Sequence, residues 1–126
     1  MSKNAINWFD LPAADFDRAV KFYSAILGTE IKVGEHMGQK LGFFPCEGPL
    51  GQSVGGDLVP PGMGPKPSAT GTCVYLNCEG KLDEVLGRVE PSGGKIMRPK
   101  MSIGEPGWIA MIQDTEGNTI GLHSSK

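Results

Sequence analysis

The sequence is short of the residues from which the most familiar active sites are built. His36 and His123 are the only two histidines among 126 residues. No nucleophile motif accompanies them, which leaves triad-type covalent catalysis without its parts. Cysteine is scarce as well. Cys46, Cys73 and Cys78 form neither an even set nor a C-x-x-C pair, so no disulfide framework is implied and a reducing compartment, the cytoplasm, is expected. The start MSKNAINWFD lacks the apolar run of a signal peptide. No window approaches the roughly 18 apolar residues of a membrane-spanning helix. Charged residues make up 21% of the chain and the formal net charge is only -2. Such a balance draws the protein neither to nucleic acid nor to an anionic membrane, and small, neutral or mildly polar partners are expected.

What is abundant is glycine, at 19 residues, together with 10 prolines. Many turns and several bare strand positions follow, rather than long helices. The stretch NAINWFDL alternates enough to be a strand. Asp15 then stands at an N-cap position ahead of Phe16, Ala19, Val20, Tyr23, Ile26 and Leu27 at helical spacing, and Gly28 is the natural stop. TEIKVGEH, QKLGFFPC and GQSVGGDLV follow as three short strands separated by turn residues. The prolines and glycines of residues 60–71 interrupt the sheet and read as a linker.

The same order then recurs. TCVYLNC is a strand, and Leu82, Val85, Leu86 and Val89 form a one-faced helix ended by PSGG. KIMRPKMSI, GWIAMIQD and NTIGLHSS complete the set of strands. Ala19, Phe22, Tyr23 and Ile26, shifted by 63 positions (82 minus 19), fall on Leu82, Val85, Leu86 and Val89. The expected architecture is therefore α+β: two βαβββ modules, residues 4–59 and 72–124, whose sheets form an open, U-shaped mixed surface around a cavity within one domain.

WFDLPAADFDRAVKFYSAILG near the start and GWIAMIQDTEGNTIGLH near the end resemble the two most recognisable stretches of the vicinal oxygen chelate superfamily. That superfamily groups glyoxalase I, bleomycin-resistance proteins and extradiol dioxygenases, and the late G-W-x-A and D-T-E-G-N-x-I-G-L segments resemble a bacterial branch related to lactoylglutathione lyase. The resemblance implies paired βαβββ modules in an open barrel, commonly as homodimers. It also implies a divalent metal held by a His on the first strand of each module and a Glu on the last. Carried onto this chain, those positions fall on Trp8, Thr72, Gly121 and either Gly55 or Gly56. Glycine has no side chain, an indole N–H cannot coordinate, and a lone threonine hydroxyl is a poor donor. No metal is expected at that set. A displaced site drawn from His36, His123, Asp10, Asp57, Glu47 and Glu105 is the alternative.

A cavity argued from its lining remains. If Phe9 and Leu11 pack under the first helix, strand alternation turns Trp8 and Asp10 into the space between the sheets. The corresponding rule in the second module turns Thr72, Val74 and Leu76 inward and places Cys73 and Tyr75 under the second helix. Trp108, Gly121 and His123, with Phe43 or Phe44, complete the expected lining, and Gly55, Gly56 and Gly121 leave room in it. Such a cleft suits a flat or moderately hydrophobic organic molecule. Three functions follow: a metal-free binding protein without a cofactor, a metal-dependent lyase, isomerase or dioxygenase, and a metal-free enzyme with Asp10 as general base, its pKa raised if Asp10 is buried beside Trp8. The fold alone does not choose among them.

Overall fold

The computed structural model describes residues 4–36, 38–48 and 53–126; Met37, between the second and third expected strands, and Gly51 and Gln52 of the fourth lie outside them. The chain runs β1 (Trp8–Pro12), α1 (Phe16–Leu27), β2 (Lys32–His36), β3 (Gln39–Phe43) and β4 (Gly55–Val59). It continues through β5 (Val74–Asn77), α2 (Leu82–Val89), β6 (Lys95–Ser102), β7 (Trp108–Gln113) and β8 (Thr119–Ser124). Two four-stranded sheets result, ordered β1-β4-β3-β2 and β5-β8-β7-β6. In each, the first strand runs parallel to the last and the other pairs are antiparallel.

Local chemistry explains the helix ends. The Asp15 carboxylate accepts the Arg18 amide at 3.1 Å, satisfying an otherwise unpaired donor of the first turn of α1. Gly28 closes α1 at φ 68°, a left-handed conformation that glycine adopts without a Cβ penalty. Ala19, Phe22, Tyr23 and Ile26 are the buried face of α1, and Leu82, Val85 and Val89 that of α2. They pack with Leu11, Phe44 and Leu58 from the first sheet and Leu76, Ala110, Ile112, Ile120 and Leu122 from the second. Full burial of each large aliphatic side chain contributes roughly 1.5–3 kcal/mol.

Strand parity in the first sheet is as expected, with Leu11 buried and Phe9 packed against the core. In the second sheet it is inverted. Val74 and Leu76 pack in the core under α2, while Tyr75, 47% exposed, shares the open face with its partner Gly121. Thr72 lies exposed ahead of β5. The expectation matched Thr72 to Trp8, an offset of 64 positions (72 minus 8), whereas the equivalent strand ends Ala13 and Cys78 are offset by 65 (78 minus 13). A slip of one residue flips every side chain to the other face. Trp108 is also removed from the cleft. It is opposite Ser124 on the α2 side, where Lys100 stacks over its ring at 4.9 Å and pairs with Asp83 of α2.

The turn DTEGN, residues 114–118, joins the two halves. Asp114 Oδ1 accepts the amides of Glu116 and Asn118 at 2.8 and 2.9 Å, which shapes the turn from within. Its Oδ2 accepts the Tyr23 hydroxyl of α1 at 2.6 Å and Asn118 Nδ2 at 3.1 Å. Asn118 Nδ2 also donates to the Pro12 carbonyl at 2.8 Å, and Asn118 Oδ1 accepts the Ser68 amide at 3.1 Å. Glu116, whose side chain is fully buried, takes Arg18 in a two-pronged ion pair at 2.8 and 3.0 Å and the Asp15 amide at 2.7 Å. Burial pushes the Glu116 carboxyl up, but the hydrogen bonds from Arg18, Thr115 and the Asp15 amide outweigh it and hold the group below the usual range. Arg88 adds a further tie by donating to the Ile26 carbonyl at 2.9 Å.

Replacing Asp114 by Ala strands the Tyr23 hydroxyl and two turn amides, and is expected to cost about 3 kcal/mol in urea unfolding; Tyr23→Phe is expected to cost about 1.5 kcal/mol. Arg18→Ala leaves Glu116 as a buried charge without its partner and is expected to cost about 2–3 kcal/mol at pH 7. Because Glu116 has a lowered pKa in the fold, its contribution is present above the ordinary carboxylate range and fades as pH falls through that range. The gap between wild type and Arg18→Ala should narrow correspondingly in acid.

Candidate functional site

The open face of the first sheet is set by register. Trp8 is opposite Gly55 and Asp10 opposite Asp57 across the parallel β1–β4 pair, and Asp57 is opposite Phe43 across β3–β4. Phe43 in turn faces Lys32 on β2, and His36 ends that strand on the same side. The parity of Phe43 and Phe44 is thereby resolved: Phe44 is buried in the core and Phe43 is on the open face. Trp8 and Phe43 meet edge to face with ring centroids 6.3 Å apart, and His36 packs edge-on to Phe43 at 5.5 Å.

Between these rings lies a pair of carboxyl groups. Asp10 is exposed, so it is not buried beside Trp8. Asp57 is the buried member, 4% exposed, and its Oδ1 has no hydrogen-bond partner. Burial raises the Asp57 carboxyl to about 7, with further contributions from hydrogen bonding to Asp10 and from its charge. The Trp8 indole N–H opposes the shift and donates to Asp10 Oδ1 at 3.3 Å. At neutral pH the pair thus sits near the point where one of its protons is exchangeable. Asp57 was visible in the sequence only as one carboxylate among several. Its pairing with Asp10 depends on parallel register, which no local pattern states.

The glycines have a different role from the one expected. A Cβ on Gly121 would collide with the Tyr75 ring, and one on Gly56 with the Phe9 ring. Gly55 lies under Trp8, with the ring 3.1 Å from where a Cβ would stand, and against Cys46 Sγ at 3.3 Å. Each glycine is a seat for an aromatic ring from the neighbouring strand rather than vacant space. Beyond Gly55 a cavity of about 700 Å³ opens between the sheets, with Phe9, Leu27 and Phe44 on one side and Tyr75, Leu76 and Asn77 on the other.

His123 is on the open face of the second sheet, where its Nε2 meets the Pro106 carbonyl at 2.7 Å and anchors the turn before β7. It is not brought to His36. The register also shifts the positions implied for a metal. Ala13 and Cys78 end their strands alike, and Asp57 faces Asp10 as Gly121 faces Tyr75. Cys73, not Thr72, is therefore the counterpart of Trp8, and Asp57, not Gly55 or Gly56, that of Gly121. The set becomes an indole, a glycine, a carboxyl and a thiol whose pKa is raised by burial. Among the described residues no three His, Cys, Asp or Glu side chains converge as a metal site, and that includes the displaced set. These donors do not fit a divalent transition metal.

Known proteins share this geometry. Residues 5–122 match the family model of the Glyoxalase/Bleomycin resistance protein/Dioxygenase superfamily. The chain is 28% identical over 116 residues to "Putative glyoxylase CFP32" of Mycobacterium bovis and of Mycobacterium tuberculosis. That match covers 92% of this chain and 44% of each relative, so the chain spans less than half the length of those proteins. A crystal structure of a glyoxalase/bleomycin resistance protein from Albidiferax ferrireducens superposes with a TM-score of 0.73 at 16% identity, covering 96% of this chain and 99% of that one. A glyoxalase I mutant from Zea mays superposes with a TM-score of 0.70 at 19% identity, over 96% of this chain and 45% of that one. With a family model matched along almost its full length and the paired βαβββ architecture in place, the chain belongs to the glyoxalase/bleomycin resistance protein/dioxygenase superfamily.

Proposed function

We propose that the protein binds a small organic molecule with a flat or apolar body on the open face of the first sheet, without a resident metal or other cofactor. The observation that carries this reading is the Trp8–Phe43 aromatic pair flanking a buried carboxyl whose Oδ1 has no partner. Apolar walls with a few fixed polar atoms are the usual composition of such sites. The chain is proposed to act as a homodimer, because the second sheet leaves Tyr75 and Met101 exposed. Its three cysteines are unpaired, in keeping with the cytoplasm. None of its helices among the described residues is long and apolar enough to cross a membrane. A second reading, metal-free proton transfer with Asp10 as base, draws support from the neighbouring Asp57, whose pKa of about 7 suits a general acid.

A panel of neutral aromatic fragments screened by amide NMR should map to Trp8, Asp10, Phe43 and Gly55. Trp8→Ala should weaken the best of them about tenfold, with amide NMR confirming that the variant keeps its fold. Fragments that map elsewhere, or no binding up to millimolar concentration, would overturn the reading, as would a stoichiometric, stabilising ion after dialysis against nickel, zinc and manganese.

The carboxyl pair also has a signature in stability. Asp57 holds its proton in the fold up to about pH 7 but releases it near pH 4 once unfolded. Between those values the unfolded state binds fewer protons at this group, so the contribution of Asp57 to stability falls as pH rises, then levels off. Asp57→Asn lacks this penalty and should be about 2 kcal/mol more stable relative to wild type at pH 8 than at pH 4, as measured by urea unfolding at both.

A further inference from the structure

Among the described residues the carboxyl pair has no ion-pair partner. Among the described residues the ion pairs are Arg18–Glu116 and Lys100–Asp83, and neither involves Asp10 or Asp57. The basic side chain on the same face, Lys32, is two strands from Asp57, across Phe43, which is roughly 10 Å at ordinary strand spacing. One member of the pair is buried with a bare oxygen, and the other is exposed and already oriented by the Trp8 indole N–H. Two carboxyl groups side by side repel when both are ionised, and among the described residues only the neutral Trp8 indole N–H offsets that repulsion.

Resting on the reading of this face as a small-molecule site, the geometry points to an organic cation as the ligand: a protonated amine or amidine on an aromatic or apolar body. The cationic head sits against Asp10, with Asp57 behind it as a second source of negative charge. The body lies along Trp8 and Phe43. An inorganic divalent ion is a poorer match, because it needs several hard or imidazole donors in place of its water shell and only two carboxyls are present. A weakly hydrated organic cation gives up less solvation on entering an aromatic site, and the ring faces attract it directly. Neutral ligands use the same walls but leave the carboxyl pair uncompensated, and anions are repelled by it.

Three probes with one ring system separate these cases: tryptamine as cation, tryptophol as its neutral counterpart, and indole-3-acetate as anion, each titrated calorimetrically into the full chain at pH 7.5. Tryptamine should bind at least tenfold tighter than tryptophol, and indole-3-acetate weakest. Asp10→Asn should erase the advantage of tryptamine, read as the ratio of tryptamine to tryptophol affinity within the variant, and Asp57→Asn should reduce that ratio several-fold. Asp10 is exposed, so its variant is expected to fold; Asp10→Ser serves as a second version, with urea midpoints confirming both. Equal binding of tryptamine and tryptophol, or an advantage that survives both Asp10 variants, overturns the cation assignment. If neutral fragments still map to Trp8 and Phe43 in that case, the binding reading stands and only the ligand class falls; if nothing maps there, both fall. Light scattering supplies the remaining arm: dissociation of an oligomer in Asp10→Asn would show that a cation of a second copy pairs with this carboxyl, and would likewise overturn the assignment.

Discussion

Asp114 is the group on which the joining of the two halves depends. One of its oxygens closes the turn by accepting two backbone amides, and the other reaches across to the Tyr23 hydroxyl on the first helix. A carboxylate so buried is tolerable only because every side of it is met by a donor. Glu116, two residues on, repeats the arrangement with Arg18 and the Asp15 amide. The same five-residue turn therefore shapes itself, caps its neighbour's helix entry and fixes the angle between modules. The edges of the first and second sheets that bound the cavity stand where they do because of this junction.

That account changes the meaning of the two most recognisable sequence stretches. D-F-D-R-A-V-K-F-Y and D-T-E-G-N look like catalytic signatures because they are dense in ionisable side chains. In the fold, Asp15, Arg18 and Tyr23 from the first meet Asp114, Glu116 and Asn118 from the second, or the backbone beside them, and all are consumed in holding the structure. Burial and hydrogen bonding to Asp114 raise the Tyr23 phenol well above its ordinary pKa, so it remains a donor at any physiological pH. The chemistry available to a ligand lies elsewhere, on strands whose residues form no motif.

Much of the fold was legible because it rests on local physics. The Asp15 cap, the Gly28 stop and the helical spacing of Ala19, Phe22, Tyr23 and Ile26 are each decided within a few residues. The inward set of the second module was not legible, since the first strands of the two modules are offset by 65 positions (78 minus 13) rather than the 64 that matches Thr72 to Trp8, and no composition signal marks that single residue. Val74 thus became a core residue and Tyr75 an exposed one. Trp108 looked like cleft lining because it is large and aromatic; its pairing with Ser124 and its contact with Lys100 place it on the helix side. Asp57 illustrates the deeper difficulty. Its importance comes from sitting beside Asp10, 47 positions away by subtraction of their numbers, in a parallel pair whose register only the completed sheet defines.

The two halves share architecture but not surface, and that asymmetry locates the function. In the second sheet the pair of positions matching Asp10 and Asp57 holds Tyr75 and Gly121, and the ring covers the glycine. That arrangement closes on itself: an aromatic face is seated, no charge is buried and no oxygen is left bare. In the first sheet the same two positions hold carboxyls that repel, one of them buried with an unmet oxygen. A buried acid of that kind lowers the stability of the fold at neutral pH. Nothing in the packing of the first module requires it, for Trp8 over Gly55 is enough to cover the strand as Tyr75 covers Gly121. A proton held by Asp57 relieves part of that term, and a positively charged or hydrogen-bond-donating group meeting the bare oxygen relieves more of it. A site whose free state is poorer than its occupied state gains affinity from that difference, which is why the proposed ligand is assigned to the first sheet rather than the second.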